Sequence, residues 1–557
     1  MFLIFKRKFL FFAVTLLVLN SEAKRVIIFM KESARKEVVT FGLTQNLISK
    51  NQVEQRNQAD KLVQSLGNQI KVSQIKKTLS RLNSLIVDQL EDTEILELRK
   101  NKNVLLIDTE VIRPLPFLVR NFKKIALPLS QKISSFFSMT PWGILAVKAP
   151  EAWNESMGGA GARVLILDTG IDRDHPSLRP NLELGKDFVG DDQDGYPYKD
   201  TIGHGTHVAG TIAGVLDSTG FSGVAPKARI LAGRVCAPEG CSNLAVAEGI
   251  EWGMQQKVDV ISMSLGGAWA SPAERLAVSK ASKEGVTIVA ASGNDGSNSI
   301  SYPAALPEVI AVGAIDSQFK KASFSQYGPE LAVVAPGVDV VSSVPMGHGR
   351  APVVSFTVGE GSVQTVRSVT FEGGKTVLTP ESYEMVFAGL GKEEDFSKIN
   401  VEGKVALIQR GEIKFIDKVK NAIQAKASGV IFYNNTEGLI QGAITSDGSQ
   451  LPVGVFMVEQ KVGESLKESL EKGMVVNSTY EILVTNQDSF NGTSMATPHV
   501  SGIVALMKAA NKNLTPSQVK MILQKTATPL GPNENNEMGA GLVNAEKAVH
   551  EVTLSQD

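Results

Sequence analysis

Val164-Leu165-Ile166-Leu167-Asp168-Thr169-Gly170-Ile171-Asp172 runs four aliphatic residues straight into a carboxylate and a turn. A short unbroken apolar run closed by a turn signal reads as a strand buried on both faces. Comparable runs recur at 230–231, 258–261, 286–290 and 309–312, with helical patterns at 245–255 and 273–284 between them. Strands alternating with helices in this way imply a parallel sheet covered on both faces, with functional groups at the strand ends. The expected class is α/β, a doubly wound, mostly parallel sheet, with Asp168 at the end of a strand.

Working outward, residues 24–115 carry strand-like starts at 26–29 and 84–87, a helical stretch over 92–100 and a further strand at 104–107, the pattern of a small α+β unit. Residues 116–140 have Pro, Ser and basic residues without a sustained period and read as a linker. The parallel-sheet domain then occupies 141–350. Over 351–484 the texture shifts to Glu, Gly, Val and Thr, marking an inserted second domain, and 485–557 returns to the first. At the beginning, Lys6-Arg7-Lys8 precede an apolar run over 9–19 and Ser21-Glu22-Ala23, the layout of a signal peptide spanning 1–23. That run is shorter than the roughly 20 apolar residues a membrane helix needs, so no stable membrane anchor is expected and the mature chain belongs outside the cytoplasm, in a periplasm or the medium.

The composition is that of a globular protein: 557 residues, 43% hydrophobic, 21% charged and a formal net charge of -1. No overall field favours nucleic acid or an acidic surface as a partner. The two cysteines, Cys236 and Cys241, flank Ala-Pro-Glu-Gly and could close a small disulfide loop in an exported protein, with two reduced thiols as the alternative. Two ligands alone do not make a tetrahedral zinc site.

Three segments carry chemistry: Asp168-Thr169-Gly170, Gly203-His204-Gly205-Thr206-His207 and Gly492-Thr493-Ser494-Met495-Ala496-Thr497-Pro498. Asp-Thr-Gly also marks aspartic proteases, but those pair two such carboxylates, and Asp217-Ser218-Thr219-Gly220 has the wrong order. His204 and His207 could suggest a metal pair, yet the helical zinc motif needs Glu after its first histidine, where Gly205 stands, and His207 is assigned to packing. Gly373-Gly374-Lys375-Thr376 looks like the end of a phosphate loop, but Val369 occupies the place of its leading glycine.

Taken in the order Asp, His, Ser, these segments resemble the subtilisin family, and that order separates it from other folds with the same triad. Ala291-Ser292-Gly293-Asn294-Asp295-Gly296 resembles the family's oxyanion-hole segment, and Ser262-Met263-Ser264-Leu265-Gly266-Gly267 its substrate-binding edge. The resemblance covers 141–344 and 488–549. It implies a serine endopeptidase with Ser494 as nucleophile, His204 as base, Asp168 as its orienting partner and Asn294 as an oxyanion donor, acting on proteins or peptides. The primary pocket would be walled by Ser264, Leu265, Gly266, Ala291, Ser292, Gly293 and Ser301, none of them charged, so an uncharged, apolar or aromatic residue is expected before the cut. The Cys236–Cys241 loop would border more distant subsites and its disulfide would stiffen that rim.

The same resemblance makes 24–115 an inhibitory propeptide whose tail would occupy the cleft until cut, somewhere between Arg113 and Thr140. The insert is similar to a protease-associated domain, most recognisably in Gly403-Lys404-Val405-Ala406-Leu407-Ile408-Gln409-Arg410-Gly411 and Lys418-Val419-Lys420-Asn421-Ala422. Related inserts influence substrate access or protein contacts, and a passive β-rich module is the plain alternative. No cofactor is expected for catalysis. The family's structural calcium is doubtful, because Ser138 and Ser177 stand at two ligand positions and only Asp217 remains in the loop over 215–221. The competing reading is a non-catalytic binding protein that has kept the fold.

Overall fold

The computed structural model describes residues 23–31, 62–67, 69–115, 140–191, 196–216, 221–436, 438–440, 442–445 and 449–554. All but the last residue of the expected signal peptide, all but the last residue of the expected linker, and Asp217 lie outside them. The chain divides into one compact unit ending at Glu110 and another beginning at Val111.

In the first unit, β1 (Lys24–Met30), β2 (Ile75–Leu79), β3 (Ser84–Leu90) and β4 (Val104–Thr109) form an antiparallel sheet in the order β2-β3-β1-β4. Helix α1 (Asp92–Arg99) contributes Ile95 and Leu98 to a core with Val26, Ile28, Leu85 and Val87. Strand β2 was not expected from sequence: Ile-Lys-Lys-Thr-Leu lacks a clean alternation, and its lysines suit an edge, where charge discourages pairing with other chains.

The second unit begins with β5 (Ile112–Arg113) and is built on seven parallel strands: β6 (Arg163–Asp168), β7 (Leu182–Asp187), β8 (Arg229–Arg234), β11 (Val260–Met263), β12 (Thr287–Ala291), β13 (Val309–Ile315) and β14 (Leu331–Pro336). Their order is β14-β13-β12-β11-β6-β8-β7, every neighbouring pair parallel. Short strands β9 (Cys236–Ala237) and β10 (Gly240–Ser242) make a hairpin beside it. The four strands from β11 to β14 are buried throughout, as continuous aliphatic runs require when helices cover both faces. The two edges, β7 and β14, were missed from sequence; β7, Leu-Glu-Leu-Gly-Lys-Asp, has no apolar run to announce it.

Helices α2 (His204–Ala213), α3 (Asn243–Gln256), α4 (Pro272–Lys283) and α5 (Thr493–Ala510) complete the layers. Helix α5 is buried from Thr493 to Lys508 and packs on β11 through β14 and on α2. A helix that is apolar nearly all round has to lie in the interior.

Between β14 and α5 the chain leaves and returns along one ribbon. Val340–Ser343 pairs antiparallel with Gln487–Phe490, and Gly349–Val358 pairs with Val476–Thr485 over its whole length. This pairing runs across the expected boundaries at 350/351 and 484/485. Together with the two long strands of this ribbon the insert forms an eight-stranded sheet in which Val405–Gln409, Gly429–Tyr433 and Gly454–Val458 run parallel.

Two measurements follow from the burial of α5. Ile503→Ala, at a fully buried site, is expected to cost about 3 kcal/mol in urea unfolding, whereas Met521→Ala, at an exposed one, should stay within about 0.5 kcal/mol. His499 is fully buried, its Nδ1 2.9 Å from the Met495 carbonyl oxygen, and burial pushes its imidazole down to about 4 from 6.5. Between those values the unfolded chain binds a proton that the folded chain refuses, so stability falls as pH falls through this window. The loss should reach about 2 kcal/mol by about pH 5. His499→Leu should remove that part of the slope between pH 7 and 5; an unchanged slope would contradict it.

Candidate active site

Strand β6 ends on Asp168, whose Oδ1 accepts from the backbone N–H of Thr169 at 2.8 Å and lies 2.7 Å from His204 Nδ1. Both side chains are buried. A carboxylate can only accept, so the shared proton sits on Nδ1, and Nε2 is the nitrogen with basic character.

His204 opens α2, and the turn before it is tied down by Asp200. This buried carboxylate accepts from the N–H groups of Ile202 (3.0 Å), Gly203 (2.7 Å) and Thr206 (2.9 Å) and from the hydroxyls of Thr206 (2.6 Å) and Thr169 (2.9 Å). Burial pushes its carboxyl above the usual carboxylate range, against hydrogen bonds that favour the ionised form. Because Thr169 follows Asp168, this network joins the two halves of the Asp168–His204 pair. Gly205 allows the close approach: a Cβ there would lie 2.1 Å from the Gly170 carbonyl oxygen.

Ser494 sits in the first turn of α5. Its Oγ donates to the Ser264 carbonyl at 3.1 Å, and Ser264 Oγ donates to the Ser494 carbonyl at 2.8 Å. Pro498 explains the second bond: it has no N–H for the carbonyl four residues earlier, which leaves the Ser494 oxygen for Ser264. Helices α2 and α5 pack together, and a Cβ on Gly502 would lie 2.6 Å from Val224 Cβ and 3.3 Å from the Ile212 carbonyl oxygen.

Asn294 Oδ1 accepts from both the N–H and the hydroxyl of Thr493, each at 2.9 Å, which orients its amide nitrogen. A Cβ placed on Gly492 would lie 3.5 Å from Asn294 Nδ2 and 3.6 Å from Ser494 N, so both nitrogens flank this glycine.

A cleft of about 620 Å³ opens beside them, lined among others by Leu265, Gly266, Ala291, Gly293, Asn294 and Ser301. Ser264 and Ser292, expected in its wall, lie behind it. Ser264 is engaged with Ser494, while Ser292 bonds through its backbone to Val312 and Ser301. Gln326 was not foreseen: its Oε1 is 3.3 Å from Ser301 Oγ and would lie 1.8 Å from a Cβ on Gly293. Nothing local in Ser325-Gln326-Tyr327 signals that role, nor Thr493's. His207 is buried in packing, stacked on Phe490 at 4.3 Å with Nε2 2.9 Å from the Val340 carbonyl. Cys236 and Cys241 are disulfide-bonded across the β9–β10 hairpin.

Val111–Leu115 also line the cleft, with β5 paired antiparallel to β10. The first compact unit ends at Glu110, inside the expected propeptide of 24–115, and the residues after it pair with β10 and line the cleft, where the propeptide tail was expected.

A parallel sheet in which one strand ends on an aspartate paired with a histidine, packed against a buried helix that carries a serine in its first turn, defines an α/β protein. Residues 159–368 and 458–541 match the Subtilase family, and 374–466 match the PA domain. The chain is 30% identical over 464 residues to the minor extracellular protease Vpr of Bacillus subtilis (strain 168), covering 72% of this chain and 53% of that protein. It is 43% identical over 212 residues to subtilisin E of the same organism, covering 37% of this chain and 55% of that one. The crystal structure of the psychrophilic subtilisin-like protease Apa1 from the Antarctic psychrotroph Pseudoalteromonas sp. AS-11 superposes with a TM-score of 0.59 at 29% identity, covering 74% of this chain and 99% of that one. The chain belongs to the subtilase family, with a subtilisin-like fold and a PA domain. It spans about half the length of the curated relatives named here.

Removing Asp200's carboxylate should strand several buried donors at once. Asp200→Ala is expected to lose about 3 kcal/mol or more, and Asp200→Asn clearly less because its amide oxygen still accepts. Urea unfolding of the two variants checks the order.

Proposed function

We propose that this chain is a secreted serine endopeptidase that hydrolyses peptide bonds through an acyl-enzyme and is made as a self-processing zymogen. The observation that carries the reading is the buried Asp168–His204 contact at 2.7 Å, on a helix that packs against the one carrying Ser494.

In this mechanism Ser494 Oγ leaves the Ser264 carbonyl by rotation about χ1 and gives its proton to His204 Nε2 as it attacks the substrate carbonyl. Asp168 keeps the imidazole in the Nδ1–H tautomer and stabilises the imidazolium. The developing oxyanion takes hydrogen bonds from Asn294 Nδ2 and the Ser494 N–H, aided by the positive end of α5. His204 then returns the proton to the leaving amine, and water repeats the cycle on the acyl-enzyme. These groups account for every proton moved, so the proposed chemistry calls for no metal.

A substrate would lie along β10 and Leu265–Gly266 as an added strand, with backbone bonds giving affinity and pockets giving selectivity. The primary pocket, near Gly293, Ser301 and Gln326, is walled mostly by uncharged groups, with Asp295 also on the cleft lining, and favours an uncharged residue before the cut. Val111–Leu115 already lie in this cleft, which supports the propeptide tail as the intramolecular inhibitor. The N-terminal sequence and the extracellular protease among the relatives support export.

Fluorophosphonate labelling of the secreted protein, with mass spectrometry, tests the reading. Label at Ser494 on a chain that starts beyond Arg113 is expected. Ser494→Ala should lose both peptide hydrolysis and removal of the pro-segment, and Asn294→Ala should lower kcat by about 100-fold to 1,000-fold. A mature but unlabelled chain would point instead to a binding protein that has kept the fold.

A further inference from the structure

Arg113 does more than pair its backbone with Cys241. Its guanidinium meets Glu274 through both nitrogens, Nη1 donating to Oε1 at 2.8 Å and Nη2 to Oε2. It also lies 5.0 Å from the Trp269 ring, and its stem passes Gly267, where a Cβ would sit 2.8 Å from Arg113 Cδ. The side chains of Arg113 and Glu274 are only 9% and 0% exposed. A fork-to-fork pair laid beside an aromatic face is the arrangement that distinguishes arginine from lysine.

Glu274 has a plainer duty as well. It closes a capping box at the start of α4, with Oε2 accepting from the Ser271 N–H at 3.0 Å and Ser271 Oγ accepting from the Glu274 N–H at 3.2 Å. A cap needs only one carboxylate oxygen and works at the surface. Among the described residues, the hydrogen bond to Oε1 comes from Arg113. Arg275, the next residue of α4, stands over the Tyr302 ring at 4.9 Å.

A cut beyond Arg113 takes the guanidinium away and leaves a carboxylate in the cleft wall without its cation. Leaving one partner of a buried ion pair behind is strongly unfavourable, so the emptied subsite calls for another cation. We propose that Glu274 is a specificity-determining residue: the cleft selects peptides with arginine at the position that Arg113 fills, on the N-terminal side of the cut. Selection then has two parts, the primary pocket near Gly293 and Ser301 and a remote acidic subsite. The inference rests on the endopeptidase reading for its meaning, though the subsite can be measured without it.

The protein to use is the secreted product of the full chain, freed of its pro-segment. The probe is a fluorescent peptide with the chain's own sequence over 108–115, compared with the same peptide carrying Gln in place of Arg113. The arginine peptide should bind at least about tenfold more tightly, and the ratio should fall to near one in Glu274→Gln. Glutamine retains the capping bond, and an unchanged melting temperature would separate lost recognition from lost folding. In digests of a denatured protein, arginine should be enriched at one fixed distance before the cleavage sites of the wild type and not of the variant. Equal binding of the two peptides by the wild type, or a preference that survives in Glu274→Gln, overturns the proposal. Fluorophosphonate labelling of the same preparation keeps the two readings apart. Arginine preference in an unlabelled protein sustains the subsite and defeats the endopeptidase, while labelling without preference does the reverse.

Discussion

The burial of α5 is the constraint on which the rest of this molecule depends. Ser494 lies in the first turn of a helix enclosed by four strands and by α2, so its position is set by core packing and not by a mobile loop. Pro498 adds a second restraint, because the carbonyl it leaves without an N–H is taken by Ser264 at the end of β11. A group held by a packed interior can be placed to within fractions of an ångström, which is what pre-organised chemistry demands. The insert has to respect this arrangement. It leaves after β14 and returns before α5, and the paired ribbon brings its two ends together, so an entire β-rich domain is accommodated without displacing the helix.

Polar groups near the site follow one accounting rule: a buried donor or acceptor must be matched. Asp200 answers several donors of one turn and in doing so couples the residue after Asp168 to the helix of His204. Thr493 holds Asn294 by its oxygen, which orients the amide nitrogen beside the Ser494 N–H. Arg113 and Glu274 obey the same rule across the cleft wall, with the difference that one partner lies on a segment proposed to depart. What balances the buried charge in the uncut chain becomes a demand on whatever binds afterwards.

Much of this was legible in the residues because it is local. The aliphatic run before Asp168, the Gly-His-Gly-Thr-His turn and the Gly-Thr-Ser-Met-Ala-Thr-Pro helix start each declare themselves within a few positions. The interior strands are continuous apolar runs, and the small antiparallel unit shows three of its four strands and its helix. The edge strands β2 and β7 were not legible, since both are only partly buried and carry charge.

The sequence by itself determined the α/β class, the presence of an insert and the order of the segments that hold Asp168, His204, Asn294 and Ser494, because local patterning and motif order specify these. Only the tertiary structure decided that Asp200 braces the Asp168–His204 pair, that Gln326 reaches the pocket, that Val111–Leu115 lie in the cleft, and that Arg113 meets Glu274. Each of these is a match between polar groups or backbones that are remote along the chain, 161 residues apart for Arg113 and Glu274. Such matches exist only once burial has removed water as the alternative partner.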